Sequence, residues 1–132
     1  MLLTKKSEYA LLSLVSIAQG NAPKNVDQLA TELKISKSFL AKILQNLAKQ
    51  GILNSYKGNN GGFTLKKPCE ELTILEITSI AEQKTPTVFD CTTNAGTCEG
   101  SKEGNCSIFP LLNNLQFKIN DFLNELTLKD IL

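Results

Sequence analysis

The sequence predicts a mainly α fold with one small β-hairpin and a long C-terminal helix. Three observations carry that expectation. Apolar residues recur every three to four positions through most of the chain. Two short β-prone runs, ILNSY at 52–56 and FTL at 63–65, flank a turn rich in Gly and Asn. A further apolar repeat runs from Ile108 to Leu126. At 132 residues, 42% of them hydrophobic, the chain has the material for one core, or one core plus an appended helix.

Residues 4–19 read as the first helix, with Thr4 or Ser7 as cap and Leu11, Leu14, Val15 and Ala18 on one face. Gly20 ends it, and Asn21–Lys24 with Pro23 forms a loop. Asn25 caps a short helix, VDQLATEL, with Gln28 at the reciprocal position; Val26, Leu29, Ala30 and Leu33 face inward. Lys34–Ile35 is a tight connection. Ser36 caps a longer helix, 37–50, which Gly51 ends. Its buried stripe is Leu40, Ile43, Leu44 and Leu47. Lys37, Ser38, Ala41, Lys42, Gln45 and Lys49 are left toward solvent.

Two helices across a short turn, the second rich in Lys and small polar residues, make the helix-turn-helix pattern. The hairpin that follows is then a wing. Its tip, Lys57-Gly58-Asn59-Asn60-Gly61-Gly62, is built from residues that tolerate positive φ. On this reading Lys37, Ser38, Phe39, Lys42 and Gln45 face a major groove, and Lys57, Asn59 and Asn60 enter a minor groove. An ordinary helical hairpin with a charged face is the plainer alternative; the wing and the charge distribution favour the winged form.

Thr73 and Glu76 form a capping box that opens a helix reaching about Gln83. Beyond Pro86 lies DCTTNAGTCEGSKEGNC, residues 90–106, with Cys91, Cys98 and Cys106 separated by six and seven residues and Gly96, Gly100 and Gly104 between them. No helical or strand period passes through it, so a bound group is what would order it. Apolar residues at 108, 111, 115, 119, 122 and 126 then make a helix seam, widened by Leu112 and Leu123, and read as a dimerisation helix. TLKDIL, 127–132, is a last capped turn. The expected organisation is 1–67 for the winged helix-turn-helix, 68–106 for a linking helix and the cysteine loop, and 107–132 for the dimerisation helix and final turn.

Net charge is only +1, but it is unevenly shared. Residues 1–66 hold nine Lys and three acids, a balance of +6; residues 67–132 hold five Lys and ten acids, a balance of −5. A basic half suits a polyanion. The sequence has no Arg, the commonest bidentate reader of guanine, and no His, the commonest nitrogen ligand. Without His, and with no acid–base or nucleophile constellation, an enzyme is not expected. No secretory leader or membrane-spanning run is read, so a cytoplasmic protein with reduced thiols is expected. Thiols there point to metal or redox chemistry more than to disulfides.

The opening LTKKSEYAL, the helix-turn-helix ending in LAKQGIL, the wing KGNNGGF, the three-cysteine loop and the closing LNELTLKDIL together resemble the Rrf2 family of bacterial regulators, which includes IscR- and NsrR-like iron–sulfur proteins. The likeness spans nearly the whole chain. It implies a winged helix-turn-helix dimerised through the C-terminal helix, double-stranded operator DNA as partner, and an iron–sulfur cluster, two-iron or four-iron, on Cys91, Cys98 and Cys106. Some members take a fourth ligand from a His three residues after the third cysteine, where this chain has Phe109. Others use an acid near the start of the first helix, reaching across from the partner subunit; Glu8 occupies that position. Asp90, Glu99, Glu103 and a small molecule are rivals. A carboxylate is a harder ligand than a thiolate, so such a site is labile and suits a sensor of nitric oxide, redox state or cluster supply. Cys69, after Pro68, matches no ligand position. Two other readings remain: a small iron–sulfur electron carrier or cluster carrier, and a family member whose loop binds zinc or nothing.

Overall fold

The computed structural model describes residues 3–58, 61–87 and 107–132. Its elements run α1 (Lys5–Gln19), α2 (Val26–Leu33), α3 (Lys37–Lys49), β1 (Leu53–Tyr56), β2 (Gly62–Leu65), α4 (Ile74–Glu82) and α5 (Phe109–Glu125). Short 3₁₀ turns at Cys69–Glu71 and Leu128–Ile131 complete them. The mainly α fold with one hairpin is as expected.

Local chemistry sets most boundaries. Thr4 caps α1 by accepting from the Lys6 N–H. Asn25 and Gln28 form the full reciprocal box at the start of α2. Lys34, at φ 58, makes the tight turn into α3. At the far end of α3, Gly51 takes φ +85; its N–H bonds the Ala48 carbonyl and the Ile52 N–H bonds the Leu47 carbonyl. That is a Schellman closure, and it aims the chain directly into β1 with Ile52 against buried Leu47.

Two caps differ from expectation. Ser36 makes no capping bond; its hydroxyl lies 3.2 Å from that of Ser38. Thr73 caps α4, but Glu76 does not reach back, because its carboxylate is engaged 2.9 Å away by Lys67. An ion pair to a residue outside the helix has displaced half of the box.

β1 and β2 pair antiparallel, with Leu53 opposite Leu65 and Tyr56 opposite Gly62. Phe63 also bridges to Lys24, so the loop after α1 forms a third edge of the hairpin. Gly62 is required there: its φ is +146, and a Cβ would stand 2.5 Å from the Lys24 carbonyl carbon.

The core joins α1, α3, α4 and the hairpin, and extends to Leu123 and Leu128 at the C-terminal end. The α3 stripe, Leu40, Ile43, Leu44 and Leu47, is buried as expected. The α1 face is rotated. Ser7, Ala10, Ser13, Leu14, Ser16 and Ile17 are buried, while Leu11, Val15 and Ala18 only flank the core. Small hydroxyls let α1 approach its neighbours closely and are satisfied there: Ser7 donates to Glu82, Ser13 to the Tyr9 carbonyl and Ser16 to Glu32. The C-terminal turn is stitched back by Leu128 N–H to the Leu72 carbonyl and Ile74 N–H to the Leu126 carbonyl.

The apolar seam of α5 also divides. Leu123 is buried in the core, with Ile119 and Leu126 half-buried against it, and Leu112 is buried outside that cluster. Ile108, Leu111, Leu115 and Phe122 remain exposed on the adjoining face.

Candidate nucleic-acid interface and the stem of the cysteine segment

α2 and α3 are presented by a rigid base. The α3 stripe is buried, Asn46 Nδ2 donates to the Ile80 carbonyl at 2.8 Å, and Phe39 lies edge-on to Tyr9 with ring centroids 5.6 Å apart. Lys37, Ser38, Lys42 and Gln45 are exposed along α3, whereas Phe39 is half-buried on Tyr9. Lys57 is exposed at the start of the hairpin tip; Asn59 and Asn60 lie outside the described residues.

The basic half has its charge sorted. Its three acids each hold one lysine: Glu8 with Lys5, Glu32 with Lys24 and Asp27 with Lys37. Lys24 is a structural cation, since its Nζ also bonds Ser16 Oγ at 2.8 Å beneath the hairpin. The Lys24 hydrogen bond, followed by that of Ser16, holds the Glu32 carboxyl below its ordinary range. Among the described residues Lys6, Lys34, Lys42, Lys49, Lys57 and Lys66 carry no ion pair, so the excess +6 resides on them. Lys42 and Lys57 are exposed and carry no ion pair, whereas Lys37 is held by Asp27. That pair is exposed on both sides and therefore weak.

The cysteine segment, with Cys91, Cys98, Cys106 and the acids Asp90, Glu99 and Glu103, lies outside the described residues; its stem does not. Before it, Pro86 and Thr87 are buried. Gln116 of α5, itself buried, donates from Nε2 to the Pro86 carbonyl at 2.8 Å and to Asn120 Oδ1 at 2.9 Å. A second clasp sits one turn earlier. Glu82, the last residue of α4, accepts from the Thr4 N–H at 3.1 Å, the Thr4 hydroxyl and the Ser7 hydroxyl at 2.7 Å. Partial burial pushes the Glu82 carboxyl up, but these donors outweigh it and hold it below its ordinary value of 4.5.

Both clasps join residues distant in sequence, and sequence reasoning missed them. Glu8 is on the first turn of α1, one residue past the clasped Ser7, exposed and paired with Lys5 at 2.9 Å. Cys69 is a half-buried free thiol packed beside the core.

The Rrf2 family, described as iron-dependent transcriptional regulators, matches residues 3–132. The chain belongs to the Rrf2 family. IscR of Pectobacterium carotovorum is 29% identical over 134 residues, which span 99% of this chain and 79% of that protein. Among solved structures, CymR of B. subtilis, the global cysteine regulator, aligns at a TM-score of 0.77 with 20% identity, over 99% of this chain and 95% of its own. IscR of T. potens aligns at 0.74 with 20% identity, over 99% and 85%. These likenesses establish the winged-helix fold. As an Rrf2 protein the chain is a DNA-binding transcriptional regulator and not an enzyme. Among the described residues no helix is long and apolar enough to cross a membrane.

Proposed function

We propose that this Rrf2 chain works as a homodimer whose operator affinity is set by an iron–sulfur cluster on Cys91, Cys98 and Cys106, with Glu8 of the partner subunit as fourth ligand. The observation that carries this reading is the three-cysteine segment itself. It lies in a chain that matches, end to end, a family described as iron-dependent. The donor set fits: three soft thiolates suit an iron–sulfur group, and one carboxylate would leave it labile. When bound, the cluster supplies a centre that nitric oxide, oxygen or cluster shortage removes.

Everything else is done by the protein. The exposed row Ile108, Leu111, Leu115 and Phe122 on α5 offers an apolar face to a second copy. Lys42, Gln45 and Ser38 read a major groove on each half-site, about 34 Å apart, with Lys57 at the minor groove beside each. Gln116 and Glu82 hold the segment's stem between α5 and α1. The state of the thiolates therefore bears on the helix that sets the dimer and on the helix that carries Glu8. This linkage is thermodynamic: the DNA-bound and cysteine-ligated states bias one another equally.

A second reading keeps the regulator and dispenses with the cluster. Structural likeness to CymR, a global cysteine regulator, favours it. Iron and sulfide analysis after anaerobic purification separates the two. We expect stoichiometric iron and sulfide in the wild type, and faster loss from Glu8→Ala at unchanged thermal stability. Absence of both elements from the wild type would leave the second reading. Normal retention in Glu8→Ala would remove Glu8 from the ligand set.

A further inference from the structure

We infer that the cleft between the C-terminal ends of α3 and α4 is a binding site for a small multivalent anion of the phosphate class. The cleft has a volume of about 530 Å³ and is lined by Asn46, Lys49, Gln50, Ser79, Gln83 and Lys84, with Thr85 and Ile80 at its edge. That is the size range of small-ligand sites.

The ligand class follows from the lining. Two lysines, three primary amides and two hydroxyl side chains line one space, and among the described residues no carboxylate does. Lys49 and Lys84 form no ion pair among the described residues, unlike Lys5, Lys24, Lys37 and Lys67. The nearest acid in sequence, Glu82, is committed to Thr4 and Ser7.

Lysines at helix C-termini ordinarily serve the last carbonyls and the helix dipole. Here five of those carbonyls are already occupied. Asn46, Leu47 and Ala48 carbonyls accept from Gln50, Ile52 and Gly51 N–H groups. The Ser79 carbonyl accepts from Lys84 N–H, and the Ile80 carbonyl from Gln83 N–H and Asn46 Nδ2. The amines are left for an external acceptor. A group with two negative charges, spanning both amines and accepting from the amides, matches the lining better than a monovalent ion. The site touches the end of the reading helix on one side and Gln83–Thr85, the approach to the cysteine segment, on the other. The inference does not depend on the cluster.

The test uses the full chain and sodium pyrophosphate, titrated at constant ionic strength against chloride and followed by backbone amide NMR shifts. Saturable shifts are expected in 46–50 and 79–85. Affinity should fall at least roughly tenfold in Lys49→Gln/Lys84→Gln, the worth of a lost charge-assisted hydrogen bond. Lys42→Gln/Lys57→Gln should bind as wild type. Shifts spread over every lysine-bearing surface, or equal binding by the Lys49/Lys84 variant, overturn the site. So does a Lys49/Lys84 variant that loses DNA affinity and salt dependence while wild type ignores pyrophosphate: both lysines would then be DNA-backbone contacts.

Discussion

Glu82 shows how one side chain ties the end of α4 to the start of α1. Three hydrogen bonds converge on one of its oxygens from the first turn of α1. Hydrogen bonds to a buried charge are worth about 1.5–3 kcal/mol, and Glu82 is only partly shielded, so Glu82→Gln should cost about 1–2 kcal/mol at neutral pH. Because its folded pKa lies below the ordinary 4.5, the stabilisation is complete above that value and is lost as pH falls through the depressed one. Melting curves from pH 6 to pH 3 should therefore converge for wild type and variant as acid is added. Curves that stay parallel would mean that Glu82 is not ionised in the clasp. The serine that completes it, Ser7, was legible only as a possible cap. Nothing local in the sequence marks two residues 75 positions apart as partners.

At the scale of elements, α3 and α5 differ in how much the sequence shows. The α3 stripe is a single apolar face against a single core, and period alone locates it. α5 carries two apolar faces, and period cannot assign either to its own domain or to a second copy. Packing separates them: Leu123 is buried within the core, and Phe122 beside it is 60% exposed. The buried face of α1 is rotated from its most hydropathic one for a related reason. Hydropathy weights its leucines and valine, whereas the buried face also takes in Ala10 and three serines whose hydroxyls are all bonded. Neighbouring substitutions on α5 should therefore behave oppositely. Leu123→Ala should destabilise the fold by about 2–5 kcal/mol. Phe122→Glu should leave the melting temperature of the isolated chain within a few degrees but shift the sedimenting species to monomer. A monomeric wild type, or a Phe122→Glu dimer, would remove α5's exposed face from the assembly.

For the whole molecule, the division of charge is the feature most directly carried from sequence to DNA binding. Three of nine lysines in the first half are matched by acids, leaving Lys42 on α3 and Lys57 at the hairpin among the uncompensated ones. If each subunit places about three or four lysines on phosphates, the dimer makes about six to eight contacts. The slope of log affinity against log salt is then about −5 to −7. A titration with a palindromic operator checks this, and a slope near zero would reject the groove-reading account. Fold, family and the buried stripe of α3 were legible because each has a local pattern. The clasps at Glu82 and Gln116 were not, since their partners meet only after folding.

The central claim is that the cysteine thiolates govern how tightly the reading helices hold DNA. It is tested most directly by measuring operator affinity anaerobically on one preparation, before and after cluster removal. The account predicts a change of at least about fivefold, within the usual range of coupling between sites, that vanishes when Cys91, Cys98 and Cys106 are all replaced by Ser. Identical affinity in both states of the wild type would contradict it.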